Sequence, residues 1–195
     1  MGKLFYVIGK SATGKDTIFR ELLEKSELDL KPLVLYTTRP MRAGEEQGVQ
    51  YHFTDEAGLA ELQAAGKMIE LRTYDTVYGV WKYFTADTEA TDLTKQDYLG
   101  IGVLESYRAL RDYYGVERVM PIYIEVEDGE RLQRALDRER AQQEPKYAEL
   151  CRRFLADSED FAEGKIMEAG IEKRFRNRDL KACIQEISDY IKEYK

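Results

Sequence analysis

Apolar positions along the chain follow two periods, and each change of period marks a new element. Leu4–Ile8 is an unbroken apolar run of branched and aromatic residues, the composition of a buried strand. Over 16–27, Ile18, Phe19, Leu22 and Leu23 recur at helical spacing. Pro32 opens a new segment in which 33–36 predicts a second core strand, and 49–54 alternates as a short strand. A helix through Leu59 and Leu62 ends at Gly66, followed by a strand over 67–71 and an aromatic-rich hairpin over 74–84. The polar stretch 86–96 predicts a short helix and loop. Strands over 98–104 and 120–126 then flank a helix over 106–113. Helical patterns over 132–143 and 147–161, a short strand over 174–177 and a terminal amphipathic helix capped by Asp179 complete the chain. Strands alternating with helices predict an α/β protein, a parallel sheet flanked by helices, with a small α+β insertion at 36–85.

The residues after the first strand carry candidate chemistry. Gly9, Lys10, Ser11, Ala12, Thr13, Gly14 and Lys15 fit G-x-x-x-x-G-K, and Asp16 and Thr17 open the helix. Strand, glycine loop and helix N-terminus in that order predict a phosphate-binding loop. Its backbone N–H groups form a concavity that the helix dipole favours for anions, and Lys15 can reach the outer phosphates. The pattern calls for Ser or Thr after the lysine, where a hydroxyl ligates Mg²⁺. Asp16 holds that position. Its carboxylate is either a substitute hard oxygen ligand for Mg²⁺ or a complement to the helix dipole.

Composition narrows the class. With 195 residues, 43% hydrophobic and 34% charged, the chain suits one soluble domain with a substantial core. No apolar stretch approaches the ~20 residues needed to span a bilayer, and the N-terminal run is too short for a signal peptide. A net charge of −7 argues against a nucleic-acid partner, so basic groups for a polyphosphate must be local. Cys151 and Cys183 lack metal-ligand spacing and read as reduced packing thiols of a cytoplasmic protein, and the lone His52 excludes multi-histidine metal sites.

The segment beyond the second strand then becomes informative. Thr37, Thr38, Arg39, Arg42, Gly44, Glu45, Gly48, Tyr51 and Phe53 resemble the T-T-R-x-x-R-x-G-E-x-x-G-x-x-Y-x-F signature of guanylate kinases. The resemblance covers nearly the whole chain. It implies a P-loop nucleotide kinase fold as one domain over 1–195. The core would comprise 1–35, 86–131 and 154–195, with a monophosphate-binding insertion at 36–85 and a helical lid at 132–153. It also implies ATP as co-substrate with Mg²⁺, small-molecule nucleotide partners, and a monomer or homodimer. Arg39 and Arg42, three apart on a turn, would grip the acceptor phosphate, and by resemblance Tyr51 and Tyr78 would add hydroxyls. Glu70 matches the carboxylate that accepts from guanine N–H groups. Arg138, Arg140 and Arg153 resemble lid arginines that close over the triphosphate, and Asn177 falls in the stretch flanking the adenine. Lys15, Arg39, Arg140 and Arg153 would thus be the catalytic set.

Three departures stand against the resemblance. Asp16 is one. Gly100 and Gly102 replace a D-x-D pair of acids, leaving Glu105 as the nearest carboxylate. Leu35 and Val80 stand where hydroxyls are expected. Two glycines in a strand also signal close approach by a neighbour or ligand. The expected activity is phosphoryl transfer from ATP to GMP or a related monophosphate. The alternatives are a non-catalytic binding module and a kinase for another small phosphate or phosphonate ester.

Overall fold

The computed structural model describes residues 2–76 and 79–195. Strand β1 (Leu4–Ile8) is the centre of a five-stranded parallel sheet, and every one of its side chains is buried. Alternation along the strand divides the core in two. Leu4, Tyr6 and Ile8 face Leu104, Tyr107 and Leu110 of helix α3 (Leu104–Tyr114). Phe5 and Val7 face Ile18 and Leu22 of helix α1 (Lys15–Glu24) and Ile184, Ile187 and Ile191 of the C-terminal helix. Fully burying each such side chain is worth about 1.5–3 kcal/mol, so both layers are anchored on this one strand.

The sheet order is β2 (Lys31–Pro32), β7 (Tyr98–Gly102), β1, β8 (Val119–Glu125) and β9 (Arg174–Arg176). Residues 36–86 contribute a second sheet. Its order is β4 (His52–Phe53), β3 (Tyr36–Thr37), β6 (Gly79–Ala86) and β5 (Met68–Thr76). One face of it is covered by α2 (Glu56–Ala64) through Leu59 and Leu62, packed with Tyr36, Leu71 and Phe84. Helices α4 (Asp128–Arg140), α5 (Tyr147–Asp160) and α6 (Glu163–Glu168) follow β8, and α7 (Leu180–Tyr194) closes the chain. Asp179 caps α7 as expected, accepting from the Ala182 N–H at 2.8 Å. Among the described residues no helix is long and apolar enough to cross a membrane.

Two expected elements differ. The second core strand is divided: Lys31–Pro32 pairs with β7 in the main sheet, whereas Tyr36–Thr37 belongs to the second sheet. The Leu33 N–H still donates to the Leu99 carbonyl at 2.8 Å, but the Leu35 carbonyl has crossed to accept from the His52 N–H of the other sheet at 2.8 Å. One apolar run therefore serves two sheets, which a local pattern does not reveal. The segment 86–96 forms turns rather than a helix. There Asp92 satisfies the Thr94 N–H and hydroxyl itself, a local bond that competes with helix formation. Cys183 is buried and its thiol is pushed up to about 11 by desolvation, consistent with packing; Cys151 is exposed.

Candidate active site

The glycine loop lies between β1 and α1, and its turn requires positive φ at Ala12 (64°) and Gly14 (85°). A Cβ on Gly14 would come within 2.6 Å of the Asn177 side-chain amide. That amide donates to the Thr13 carbonyl at 2.8 Å, while the Thr13 hydroxyl bonds the Lys10 carbonyl at 2.8 Å. Asn177 thus holds the loop's shape from the end of β9. Lys15 begins α1 with its ammonium 3.7 Å from the Asp16 carboxylate. Asp16 is 83% exposed in the first turn, and among the described residues no group of three or more His, Cys, Asp and Glu could hold a metal ion. A lone exposed carboxylate beside a phosphate loop fits Mg²⁺ that arrives with a nucleotide, because this ion keeps waters and phosphate oxygens as most of its ligands.

An arginine that the pattern did not single out closes the loop from above. Arg131 of α4 is 1% exposed, with Nε on Asp128 at 2.9 Å and Nη1 on both the Ser11 carbonyl and Asp157 at 3.2 Å. Its guanidinium lies 4.4 Å from the Phe154 ring centroid, and its Nη2 has no partner among the described residues. Asp157 of α5 also accepts from the Ser11 N–H at 2.7 Å. A carboxylate is thus seated on the loop's own amide, as expected of a site built for anions. Arg138 and Arg153 line the pocket between α4 and α5 together with Ser11 and Arg131. Arg153 reaches Glu149 of its own helix at 3.5 Å. Arg140 is not brought there: it is 61% exposed, and its nearest carboxylate is Asp137 at 3.9 Å.

The face of the second sheet opposite α2 carries the remaining residues. At one end Arg39, 3% exposed, is gripped end-on by Glu45 at 2.8 and 2.9 Å, and its Nη1 also reaches the Pro40 carbonyl at 2.8 Å. These bonds take three of its five N–H groups, and the Tyr83 hydroxyl also approaches the same guanidinium. Its guanidinium lies 5.4 Å from the ring centroids of Tyr51 and Phe53. Arg42 extends over Trp81, 5.9 Å from its ring centroid. Tyr51 meets Tyr83 edge-on at 5.6 Å, and Tyr83 meets Tyr74 at 5.7 Å. At the other end Glu70, 8% exposed, accepts from Thr85 at 2.9 Å and from Arg72 at 2.9 and 3.3 Å. Tyr78 lies outside the described residues. Val80 is exposed, and Leu35 packs on the core cluster that contains Tyr6.

The Arg39–Glu45 pair sets a pH expectation. Arg39 and the Arg42 N–H hold the Glu45 carboxyl down to about 2 from an ordinary 4.5. The folded pKa is the lower one, so the pair's contribution is complete above about 4.5 and is lost as pH falls towards 2. Glu45→Gln should therefore melt lower than the parent at pH 7, with the gap narrowing below pH ~4. Thermal melts of both proteins from pH 7 to 3 check this, and a gap independent of pH refutes it.

The missing acids have a steric cause. A Cβ on Gly100 would sit 2.4 Å from the Tyr6 ring, and one on Gly102 only 2.2 Å from the Tyr6 hydroxyl. Tyr6 fills the space that two side chains would need, and its hydroxyl is hydrogen-bonded to Ser106 Oγ at 2.9 Å. The close neighbour signalled by the two glycines is this ring. Burial pushes the Tyr6 phenol up to about 12, so it stays neutral. Glu105 is exposed in the first turn of α3 and shares a pocket with Tyr74 and Arg108.

The guanylate kinase family model matches residues 1–193. A guanylate kinase of Porphyromonas gingivalis is 27% identical over 198 aligned positions, covering 100% of this chain and 98% of that protein. One from Methylobacillus flagellatus is 32% identical over 125 residues, 63% of this chain and 54% of that relative. One from Chromohalobacter salexigens is 40% identical over 79 residues, 40% of this chain and 36% of that relative. The match thus spans about half or less of these last two relatives' length. The crystal structure of guanylate kinase from Anaplasma phagocytophilum shares the fold, with a TM-score of 0.67 at 18% identity over 98% of this chain and 85% of that one. With the family model matching residues 1–193, and the loop and arginine turn both in place, the chain belongs to the guanylate kinase family.

Proposed function

We propose that the chain is an ATP-dependent nucleoside monophosphate kinase that transfers the γ-phosphoryl group to GMP, giving ADP and GDP. The observation that carries this reading is the pairing of two sites: a loop that seats a carboxylate on the Ser11 amide, and a sheet face with Arg39, Tyr51 and Glu70. The first suits a triphosphate and the second a monophosphate with a base. An acceptor oxygen forms a bond to the γ-phosphorus while the bridging bond to the β-phosphate breaks, and ADP leaves with the electron pair. The acceptor phosphate is largely ionised near pH 7, with a second pKa of about 6, so no general base is required. Positioning and charge neutralisation then carry the rate.

Each residue has a part in that chemistry. Lys15 neutralises the outer phosphates from the loop. The Arg39 guanidinium, oriented by Glu45, binds the acceptor phosphate, with Arg42 and the Tyr51 hydroxyl adding donors. Arg138 and Arg153, on the pocket above Ser11, counter charge on the triphosphate. Mg²⁺, when bound with the nucleotide, offsets phosphate charge, and Asp16 would hold it.

Coupled ADP release with Mg-ATP against GMP, AMP, CMP and UMP tests the reading. GMP-dependent turnover is expected. Binding of ATP and GMP without turnover of any acceptor would leave a binding module instead, and turnover only with a non-nucleotide phosphate ester would reassign the acceptor.

A further inference from the structure

We infer that the acceptor site reads only the –NH–CO– edge of a 6-oxopurine, through Glu70 and Arg72 together, so that IMP is accepted alongside GMP. This rests on the acceptor reading above and names the substrate class of that site more sharply. Arg72 has no place in any motif of the sequence. In the structure it stands two residues after Glu70 on β5, opposite Tyr83, while Glu70 is opposite Thr85. Alternation puts Glu70, Arg72 and Tyr74 on one face of the strand. Tyr74 and Tyr51 both meet Tyr83, so this face is continuous with the Arg39 end. Arg72 and Glu70 therefore lie where a base must lie if its phosphate is held by Arg39.

Hydrogen-bond arithmetic then limits what the pair can read. A carboxylate offers about four acceptor positions. Three on Glu70 are filled, by Arg72 Nε at 2.9 Å, Arg72 Nη2 at 3.3 Å and the Thr85 hydroxyl at 2.9 Å. One remains, enough for a single ring N–H. Arg72 meets Glu70 side-on, so its end-on Nη1 and Nη2 fork is left, and Nη1 has no hydrogen-bond partner among the described residues. That fork supplies a donor beside the one open acceptor. Leu35, packed against the core, has no hydroxyl to offer a carbonyl oxygen, and Arg72 fills that role.

A donor next to an acceptor matches O6 and N1–H of guanine or hypoxanthine. Adenine presents the reverse, a 6-amino donor and an N1 acceptor, and meets Arg72 and Glu70 with two mismatches. The 2-amino group of guanine has no acceptor left on Glu70, so its removal changes little. Arg72 is accordingly a specificity-determining residue.

Equilibrium binding of GMP, IMP and AMP to the intact protein tests the inference, with Arg72→Lys and Arg72→Ala as variants. In the parent protein, GMP and IMP should bind within about tenfold of each other, and AMP at least about 100-fold more weakly. Arg72→Lys keeps a cation beside Glu70 and should fold; it should weaken GMP and IMP by the same factor, about 10- to 100-fold. Arg72→Ala should do the same wherever its melt shows a folded protein, and the parent comparison stands without either variant. The inference is overturned if IMP binds at least 100-fold more weakly than GMP, since Glu70 then takes two donors. Variants that bind GMP as tightly as the parent overturn it too, because Arg72 then only blocks the site. In both cases GMP binding survives and the acceptor reading stands. Binding of Mg-ATP with neither GMP nor IMP bound by the parent removes the acceptor reading, and this inference with it.

Discussion

Lys15→Ala is expected to lower kcat for phosphoryl transfer by about 100- to 1,000-fold while leaving the melting temperature nearly unchanged. The two halves of this expectation come from one geometry. The Lys15 ammonium has the Asp16 carboxylate at 3.7 Å, and Asp16 is 83% exposed. Such a pair is worth about 0–1 kcal/mol to the fold, so little stability is lost with it. Alanine is also the best helix former at the position where α1 begins. In catalysis the lysine has a different value, because it meets phosphate charge that develops within a preorganised site. Steady-state kinetics beside a thermal melt separates the two. Activity within a few-fold of the parent would remove the loop from the chemistry; a collapsed melt would make the lysine structural.

The legible parts of this site are those in which function and local backbone coincide. The loop is visible because Gly9, Gly14 and Lys15 sit at set spacing between a strand and a helix, and φ at Gly14 is indeed positive. The arginine turn is visible because Arg39, Arg42 and Glu45 are close in sequence, and they are close in space as well. What escaped notice depends on long-range packing. Gly100 and Gly102 read as lost acids, but their cause is a ring almost a hundred residues earlier in the chain. The division of 33–36 between two sheets is set by strands that arrive later. Arg131 and Arg72 look like ordinary solvated charges in an acid-rich sequence, and only burial distinguishes them. One weak signal existed for Arg131: it falls one turn before Ala135 and so shares a helix face with that small apolar residue.

Those two arginines share a device. Each is held by a carboxylate next to a ligand position, with donor capacity left over. Arg72 leaves its fork on the sheet face proposed to hold the acceptor base. Arg131 lines the pocket with Ser11 and keeps a buried Nη2 without a hydrogen-bond partner among the described residues. A rigid planar guanidinium suits this use, since one edge can be anchored while another stays open. Arg39 is likewise anchored through one edge, by its end-on pair with Glu45.

Arg131→Met should be the most destabilising of the substitutions considered, by about 3 kcal/mol, which for a domain of this size lowers the melting temperature by about 10 °C. Methionine can fill the space over Phe154 and makes favourable contact with an aromatic ring, so the loss is not one of volume. It comes from Asp157, only 16% exposed, whose cationic partner is removed and which then keeps the Ser11 N–H as its hydrogen bond. Asp128 is 48% exposed and also has Lys10 at 3.2 Å, so water and that lysine compensate it. Removing the second charge should therefore restore much of the stability. Arg131→Met combined with Asp157→Leu should recover at least half of the lost melting temperature, because a buried ion pair replaced by apolar side chains is often neutral. Strict additivity of the two changes, or a single-variant shift below about 2 °C, would show that Arg131 and Asp157 are not coupled through a buried pair.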